Sequence, residues 1–237
     1  MIGDALYDRI ARLYDPWSVS VREDVELYVE EALASGGPVV ELAVGTGRIA
    51  VPTAKAGISV IGVDQSPGML AVARAYAERE GVAGLLDLRV GDLREPPVRE
   101  RVPLVTIPFR SMLHMAGDDD RSRALQAAAG VLEPGGRLIF DVFAPSEEDI
   151  AETDGLWLER EPGIFERADW DPRSRTLVLS VRGREEAATM ELHWLSPAEW
   201  NALIEDAGFE VEALYGWFDR RPWAGGEDQI WVCRRPG

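Results

Sequence analysis

The sequence predicts an α/β protein whose strands form a parallel sheet. Segments of helical pattern separate five short apolar segments of strand length, at residues 39–41, 58–64, 85–90, 102–108 and 136–143. Strands that alternate with helices are typical of parallel sheets, because each connecting helix covers one face of the sheet. The chain has 237 residues, of which 46% are hydrophobic, enough for one packed core but not for two. We therefore expect a single domain over residues 1–237.

The first strand leads into a glycine-rich turn. It ends in Glu41, and Gly45 and Gly47 follow before the next helix begins. A strand, a tight turn and a helix in this order present backbone N–H groups to a nucleotide-like ligand, and glycine leaves room for its approach. A carboxylate at Glu41 would repel a pyrophosphate and attract an ammonium or sulfonium group. The turn therefore favours a positively charged nucleoside.

The same turn is compatible with a second class of ligand. Residues 45–50 fit the pattern G-x-G-x-x-A, and Asp64, at the end of the next strand, is suitably placed for a ribose contact. Nicotinamide-dependent oxidoreductases carry this pattern too. An NAD(P)-dependent oxidoreductase is therefore an alternative at this point.

Three further motifs favour the first interpretation. Asp64 closes the second strand, Gly91-Asp92-Leu93 follows the third, and Pro134-Gly135-Gly136 precedes the fifth. As a set with the acidic glycine turn, these motifs resemble the class I S-adenosylmethionine-dependent methyltransferases. The resemblance implies a seven-stranded Rossmann-like methyltransferase sheet in the order 3-2-1-4-5-7-6. It also implies S-adenosyl-L-methionine as cofactor and S-adenosyl-L-homocysteine as product.

The resemblance assigns roles by position. The cofactor-binding residues that it implies are Glu41, Ala43, Gly45 and Gly47 for the methionine part, Asp64, Gln65 and Met69 for the ribose side, Gly91, Asp92 and Leu93 for the adenine, and Pro108 at the end of the fourth strand. Tyr14, on a leading helix, would contact the methionine carboxylate or cover the sulfonium; an apolar helix face that includes Tyr7 and Tyr14 explains the same residues. Alanine at 43 replaces the usual glycine, so we expect cofactor binding to survive with a slightly altered loop.

His114 is the candidate catalytic residue. It lies about one turn beyond the end of the fourth strand, which in this fold faces the transferred methyl group. A neutral imidazole there could accept a proton from a hydroxyl or amine acceptor. The segment resembles amino-sugar N-methyltransferases, which carry a histidine in a similar place. The alternative is that His114 caps or packs beneath a short helix. The other histidine, His193, is expected on a solvated strand face.

Charge and cysteine content restrict the partners. The formal net charge is −17, which argues against a nucleic-acid substrate because phosphate contacts require clustered Lys and Arg. The single cysteine, Cys233, excludes an intramolecular disulfide and fits a reducing compartment. The sequence shows neither a signal peptide nor an apolar run that could span a membrane. We therefore expect a cytoplasmic protein with no membrane partner, and we assign no metal site.

The segments outside the motifs complete the expected organisation. Residues 1–37 would form helices that cover the cofactor, residues 38–145 the cofactor-binding core, and residues 196–237 a closing helix and two strands. Residues 152–195 read as four short strands, an antiparallel β insert after the fifth strand. We expect this insert to form an acceptor wall or lid, with Trp157, Phe165 and Trp170 as candidate pocket residues. Its aromatic residues could equally form its own core or the face of a homodimer.

The sequence thus predicts an enzyme that transfers a methyl group from S-adenosylmethionine to an oxygen or nitrogen of a small-molecule acceptor. In-line displacement at a sulfonium is favourable, so alignment and exclusion of water are the main requirements. Besides the oxidoreductase, one alternative of a different class is a non-catalytic S-adenosylmethionine-binding module that acts through its insert. A protein methyltransferase is another, because an acidic surface attracts basic tails.

Overall fold

The computed structural model describes residues 7, 11, 14–17 and 22–237. Residues 7, 11 and 14–17 are helical; the rest of the predicted N-terminal helices up to residue 21 lies outside the described residues. The helices bounded within 22–237 are α1 (Glu23–Ser35), α2 (Ala50–Lys55), α3 (Pro67–Arg79), α4 (Asp118–Val131), α5 (Glu147–Thr153) and α6 (Pro197–Asp206). Short 3₁₀ turns span Ala83–Leu85 and Ser111–His114. Each helix of the described part is too short or too polar to span a bilayer.

The strands form two sheets. Their bounds are β1 (Val39–Leu42), β2 (Val60–Asp64), β3 (Leu86–Val90), β4 (Val102–Ile107), β5 (Leu132–Phe143), β6 (Trp157–Glu161), β7 (Ile164–Asp171), β8 (Thr176–Arg182), β9 (Ala187–His193), β10 (Glu210–Tyr215) and β11 (Asp228–Arg234). The main sheet has seven strands in the order β3-β2-β1-β4-β5-β11-β10. Without the insert, β10 and β11 are the sixth and seventh strands, so the predicted fold class and strand order are confirmed.

The register of the main sheet brings the functional strand ends together. Strands β1 to β5 are parallel, and β11 runs antiparallel to both β5 and β10. Leu42 pairs with Val63, and Asp64 with Val90. The turns that follow β1, β2 and β3 therefore lie at one edge of the sheet, where ligands bind in open α/β sheets.

Both faces of the main sheet are covered, as a parallel sheet requires. On one face Phe140 packs against Trp200 of α6 and Trp231 of β11, with ring centroids 5.4 and 6.4 Å apart. On the other face Leu27 and Tyr28 of α1 lie in the cluster that contains Val39 and Leu104. These side chains are almost fully buried. The core thus fixes the strand ends on which the candidate site is built.

The insert is a four-stranded antiparallel sheet in the order β6-β7-β8-β9, as predicted. Helix α5, which precedes it, was missed in the sequence prediction although its capping box, Ser146 with Asp149, is a helix-start signal. Trp170 packs against Phe143 and Trp194, so this aromatic residue belongs to the packing between insert and main domain. β5 also begins four residues earlier than predicted, at Leu132, because Leu132 already pairs with Val102.

Candidate active site

A cavity of about 250 Å³ lies at the carboxyl edge of the main sheet. Ten of the thirteen residues predicted for the site line it: Tyr14, Ala43, Gly45, Asp64, Gln65, Met69, Gly91, Asp92, Leu93 and His114. Nine of these were assigned to the cofactor and one, His114, to catalysis. Both groups therefore face a single space.

Three predicted positions, Glu41, Gly47 and Pro108, do not line this cavity. Gly47 has a φ of +80°, and a Cβ atom there would lie 3.2 Å from Val51 Cγ2 and 3.3 Å from Ala73 Cβ. Its glycine is therefore explained by close packing against α2 and α3. Pro108 directly follows β4 and precedes Phe109, which does line the cavity.

Glu41 is buried, with 2% of its surface exposed. Burial raises its pKa to about 8, although the nearby Arg48 guanidinium opposes the shift. At neutral pH this side chain is therefore mostly protonated. The expectation that an ionised Glu41 faces a charge on the cofactor is not supported by this position.

The burial of Glu41 predicts a pH-dependent effect on stability. Its folded pKa lies above that of an exposed Glu, so the folded state holds one more proton than the unfolded state at intermediate pH. The free energy of unfolding of the wild type should therefore fall relative to Glu41→Gln as pH rises from about 5 to 8, by up to about 1.4 kcal/mol per pH unit. Urea titrations of both proteins across this range measure the difference. Parallel pH profiles would mean that Glu41 is ionised in the folded protein.

The glycine turn keeps left-handed backbone at two cavity-lining positions. Ala43 has a φ of +60° and Gly45 a φ of +54°. A Cβ atom at Gly45 would meet no protein atom within 4 Å, so glycine keeps that space clear for a ligand. Ala43 adopts the left-handed conformation despite its methyl group, which costs about 1–2 kcal/mol relative to a relaxed residue. The sequence predicted a slightly altered loop at Ala43. In the structure the loop keeps the left-handed conformation, and Ala43 is strained instead.

Relief of this strain is a second testable consequence. Ala43→Gly is expected to raise the free energy of unfolding by about 0.5–1 kcal/mol, because the relieved strain exceeds the added entropy of the unfolded chain. Ala75→Gly, at an exposed position inside helix α3, is the control for the loss of a methyl group and should lower it by about 1 kcal/mol. Urea unfolding gives both values. Destabilisation by both substitutions would contradict the strain at Ala43.

Asp64 ties the glycine turn to the loop after β2. Its carboxylate accepts hydrogen bonds from Gly45 N at 2.9 Å and Ser66 N at 2.8 Å. Ser66 also caps α3, because its Oγ accepts from Met69 N at 3.0 Å. Gln65 and Met69 thereby face the cavity on either side of this cap. A carboxylate at this place is suited to accept hydrogen bonds from a ribose diol.

The adenine end of the predicted site contains an ion-pair cluster that the sequence prediction missed. Arg94 donates to both oxygens of Asp92, through Nε at 3.0 and 3.1 Å and Nη2 at 2.5 Å, and its Nη1 lies 2.8 Å from Asp120 Oδ2. This contact lowers the pKa of Asp92. An amino group of a ligand that donates a hydrogen bond to the Asp92 carboxylate would share this acceptor with Arg94. Gly91 is glycine for another reason, since a Cβ atom there would clash with the Pro97 ring.

Elsewhere in the lining of the cavity, His114 pairs with Tyr7. Tyr7 Oη and His114 Nε2 are 2.7 Å apart, and the two rings meet edge to face with centroids 5.6 Å apart. Either atom can carry the proton of this hydrogen bond. Burial lowers the pKa of His114 to about 4 and raises that of Tyr7 well above its usual value. The pair is therefore a neutral imidazole and a neutral phenol. His114 Nδ1 is buried without a hydrogen-bond partner among the described residues.

Aromatic rings connect this pair to the end of β4. Tyr14 packs edge to face against Tyr7, Trp17 and Phe109, with centroids 5.9–6.1 Å apart. The Arg48 guanidinium lies 4.3 Å from the centre of the Phe109 ring. The sequence prediction did not select Phe109, because an aromatic residue at a strand end is indistinguishable from an ordinary core residue.

Two hydrogen bonds hold the described N-terminal residues beside the cavity. Thr46 Oγ1 donates to Asp15 Oδ1 at 2.5 Å, and Trp17 Nε1 donates to Glu166 Oε2 at 3.0 Å. Tyr7, Tyr14 and Trp17 pack on an apolar cluster of the insert that includes Met190. The insert lies behind these residues, and none of Trp157, Phe165 and Trp170 lines the cavity. His193 lies apart from it, with Nε2 2.9 Å from Glu191.

Comparisons with known proteins agree with this geometry. A methyltransferase-domain family model matches residues 39–136. A putative methyltransferase of Geobacillus sp. strain WCH70 is 26% identical over 220 residues, which are 84% of this chain and 87% of that protein. Demethylmenaquinone methyltransferase of Tropheryma whipplei strain Twist is 26% identical over 86% of this chain and 82% of its own.

Solved structures give the same result at the level of the fold. The CcbJ methyltransferase from Streptomyces caelestis aligns with a TM-score of 0.88 and 26% identity over 99% of this chain and 100% of its own. S-adenosylmethionine-bound CalS10, an amino pentose methyltransferase from Micromonospora echinaspora, aligns with a TM-score of 0.67 and 20% identity over 94% and 95%. The comparisons support S-adenosylmethionine-dependent methyl transfer and give no evidence for the oxidoreductase or the non-catalytic module. Together, the matched domain and the relatives that align over most of the chain support its assignment to the class I S-adenosylmethionine-dependent methyltransferases.

Proposed function

We propose that this enzyme methylates a small-molecule acceptor held at the Tyr7–His114 end of the cavity, with an amine nitrogen as the better fit and a hydroxyl oxygen as the alternative. One observation carries the proposal. The Asp64 end and the Tyr7–His114 pair line the same cavity, so a cofactor at one end and an acceptor at the other would meet inside it.

The cofactor end has the groups that the cofactor requires. Asp64 and the open space at Gly45 would hold the ribose and the methionine part, and Asp92 and Leu93 would flank the adenine. When bound, S-adenosylmethionine supplies an electrophilic methyl group on a positively charged sulfur. The faces of Tyr14 and Phe109 are electron-rich and stabilise positive charge near them. These rings also exclude water from the reacting atoms.

The Tyr7–His114 pair would position the nucleophile and receive its proton. The pKa of His114 is about 4, so its imidazole is unprotonated at neutral pH, and one ring nitrogen carries a lone pair that can take up a proton. As an amine nitrogen of the acceptor forms a bond to carbon, its own proton becomes acidic, and a weak base then suffices to take it. That proton would pass to the imidazole directly or through Tyr7 Oη.

The weakness of this base favours nitrogen over oxygen. A neutral amine carries its reactive lone pair already and loses its proton after attack. An aliphatic hydroxyl needs to lose its proton during the attack, which demands a stronger base than an imidazole of pKa about 4.

The surroundings favour a small acceptor over a macromolecule. Tyr7 and Tyr14 line the acceptor end and are only partly exposed, and the contacts of Asp15 and Trp17 fix the segment that carries them. A protein tail or a nucleic acid needs an open groove. The net charge of −17 further disfavours a polyanion.

Transfer of label from methyl-labelled S-adenosylmethionine tests the proposal. The purified enzyme is incubated with an ultrafiltrate of a cell extract and, separately, with its macromolecular fraction. We expect label in the ultrafiltrate alone, on a nitrogen of the isolated product. Tyr7→Phe serves as the control, because it keeps the ring and should reduce labelling. Label in the macromolecular fraction alone would refute a small acceptor, and label on oxygen would refute the preference for nitrogen.

A further inference from the structure

We propose that Asp141, which lies outside the cavity, is a positioning residue for the acceptor end of the site. It holds a strained turn at Phe109 and Arg110, and this turn sets the Phe109 ring and the 3₁₀ turn that carries His114. The inference rests on the proposed function in one respect, that acceptor turnover is the activity affected. Its structural part is tested independently below.

Asp141 has an unusual set of partners for a carboxylate on a central strand. It lies on β5 and is 4% exposed. Its Oδ1 accepts hydrogen bonds from Tyr28 Oη at 2.6 Å and Phe109 N at 2.8 Å, and its Oδ2 accepts from Arg110 N at 3.0 Å. Although burial raises its pKa to about 6, Asp141 is ionised at pH 7.5. One buried carboxylate thus binds two consecutive backbone N–H groups.

Both of these residues have a strained backbone. Phe109 has a φ of +57° and Arg110 a φ of +61°, and neither is glycine. Left-handed backbone at consecutive non-glycine residues persists only when surrounding contacts hold it. The two hydrogen bonds to Asp141 are such contacts. Without them the turn after β4 would relax toward ordinary backbone angles.

The turn at Phe109 and Arg110 determines the position of two groups at the acceptor end, the Phe109 ring and the His114 imidazole. Phe109 lines the cavity, and its ring lies between Tyr14, with centroids 6.0 Å apart, and the Arg48 guanidinium at 4.3 Å. The 3₁₀ turn Ser111–His114 follows Arg110 directly and carries the imidazole to Tyr7. A change of φ at 109 or 110 would therefore move both groups. The turns that carry Asp64 and Asp92 belong to other strands and should stay in place.

The alternative is that Asp141 only stabilises the core, as a partner of Tyr28. The two roles differ in what glycine at position 110 does. Asp141→Asn keeps the size of the side chain, but its amide nitrogen is a donor and cannot accept from Arg110 N. Glycine adopts a φ of about +60° at little cost. Arg110→Gly should therefore compensate for the lost hydrogen bond, whereas Arg110→Ala, which removes the same side chain, should not.

The experiment compares the wild type with Asp141→Asn, Asp141→Asn/Arg110→Gly and Asp141→Asn/Arg110→Ala. Three quantities are measured: the dissociation constant of S-adenosylhomocysteine, kcat/KM for the acceptor, and the ¹⁹F resonance of residue 109 in protein labelled with p-fluorophenylalanine. The chain has six phenylalanines, and Phe109→Leu assigns the resonance. The resonance and the dissociation constant require no acceptor, so they test Asp141 even if the proposed function fails.

We expect Asp141→Asn to shift or broaden the resonance of residue 109 and to lower kcat/KM by about 10- to 100-fold, with the dissociation constant unchanged within about twofold. Arg110→Gly should restore both properties, and Arg110→Ala should restore neither. If Asp141→Asn alone does not fold, the double variant with glycine should fold and the one with alanine should not. An unchanged resonance, equal rescue by alanine, or a parallel loss of S-adenosylhomocysteine binding would overturn the proposal.

Discussion

His114→Ala is expected to lower kcat for the acceptor by about 100-fold or more while leaving the dissociation constant of S-adenosylhomocysteine within about twofold. His114 lines the cavity and forms its hydrogen bond with Tyr7 rather than with Asp64 or Asp92, so its removal should leave these cofactor groups in place. Single-turnover rates at saturating acceptor, together with calorimetric titration of S-adenosylhomocysteine, separate the two effects.

Tyr7→Phe is the matched partner of this experiment. It keeps the ring that packs on His114 and removes only the hydroxyl at 2.7 Å from Nε2. Because the two side chains act as a unit, the double variant should be little slower than the slower single variant. An unchanged rate in His114→Ala under saturating acceptor would mean that the imidazole only packs beneath the short turn.

Asp64→Asn is expected to weaken S-adenosylhomocysteine binding by about 100-fold. The carboxylate accepts from Gly45 N and Ser66 N, and a neutral amide supports this arrangement with one oxygen only. The substitution thus loosens the glycine turn and removes the carboxylate proposed for the ribose. Calorimetric titration measures the loss, and thermal unfolding checks that the variant is folded.

Asp87→Asn is the control for Asp64→Asn. Asp87 lies on the neighbouring strand β3, where it is an exposed partner of Arg89, so its loss should leave binding unchanged. If Asp64→Asn binds S-adenosylhomocysteine as tightly as the wild type, the ribose does not contact this carboxylate.

The parts of the fold and site that the sequence predicted are those with local signals. The alternation of strand and helix patterns predicted the parallel sheet. Asp64 was identifiable because it is an acidic residue at the end of a strand that follows the glycine turn. Gly45 followed from the same motif. These features depend on residues close together in the chain, so pattern and spacing are sufficient to place them.

The features that the sequence did not predict depend on contacts between distant segments. Phe109 and Arg110 carry no glycine to mark their left-handed turn, and the carboxylate that holds it is on another strand, at Asp141. From the sequence alone Arg94 is indistinguishable from a surface residue. Its role is evident only in the folded chain, which brings Asp120 of α4 beside it. Glu41 follows an apolar segment as a ligand-facing acid would, yet it is buried together with every other residue of β1. Packing determines the direction in which a side chain points at the end of a strand, and the spacing of residues in the sequence does not predict it.

A crystal structure of the enzyme with S-adenosylhomocysteine is the most direct test of the view that one cavity joins cofactor and acceptor. We expect the ribose hydroxyls to hydrogen-bond to Asp64, the adenine to lie beside Leu93, and the sulfur to face the Tyr7–His114 pair. A molecule bound elsewhere, or bound in this cavity with its sulfur turned away from His114, would contradict the proposed site.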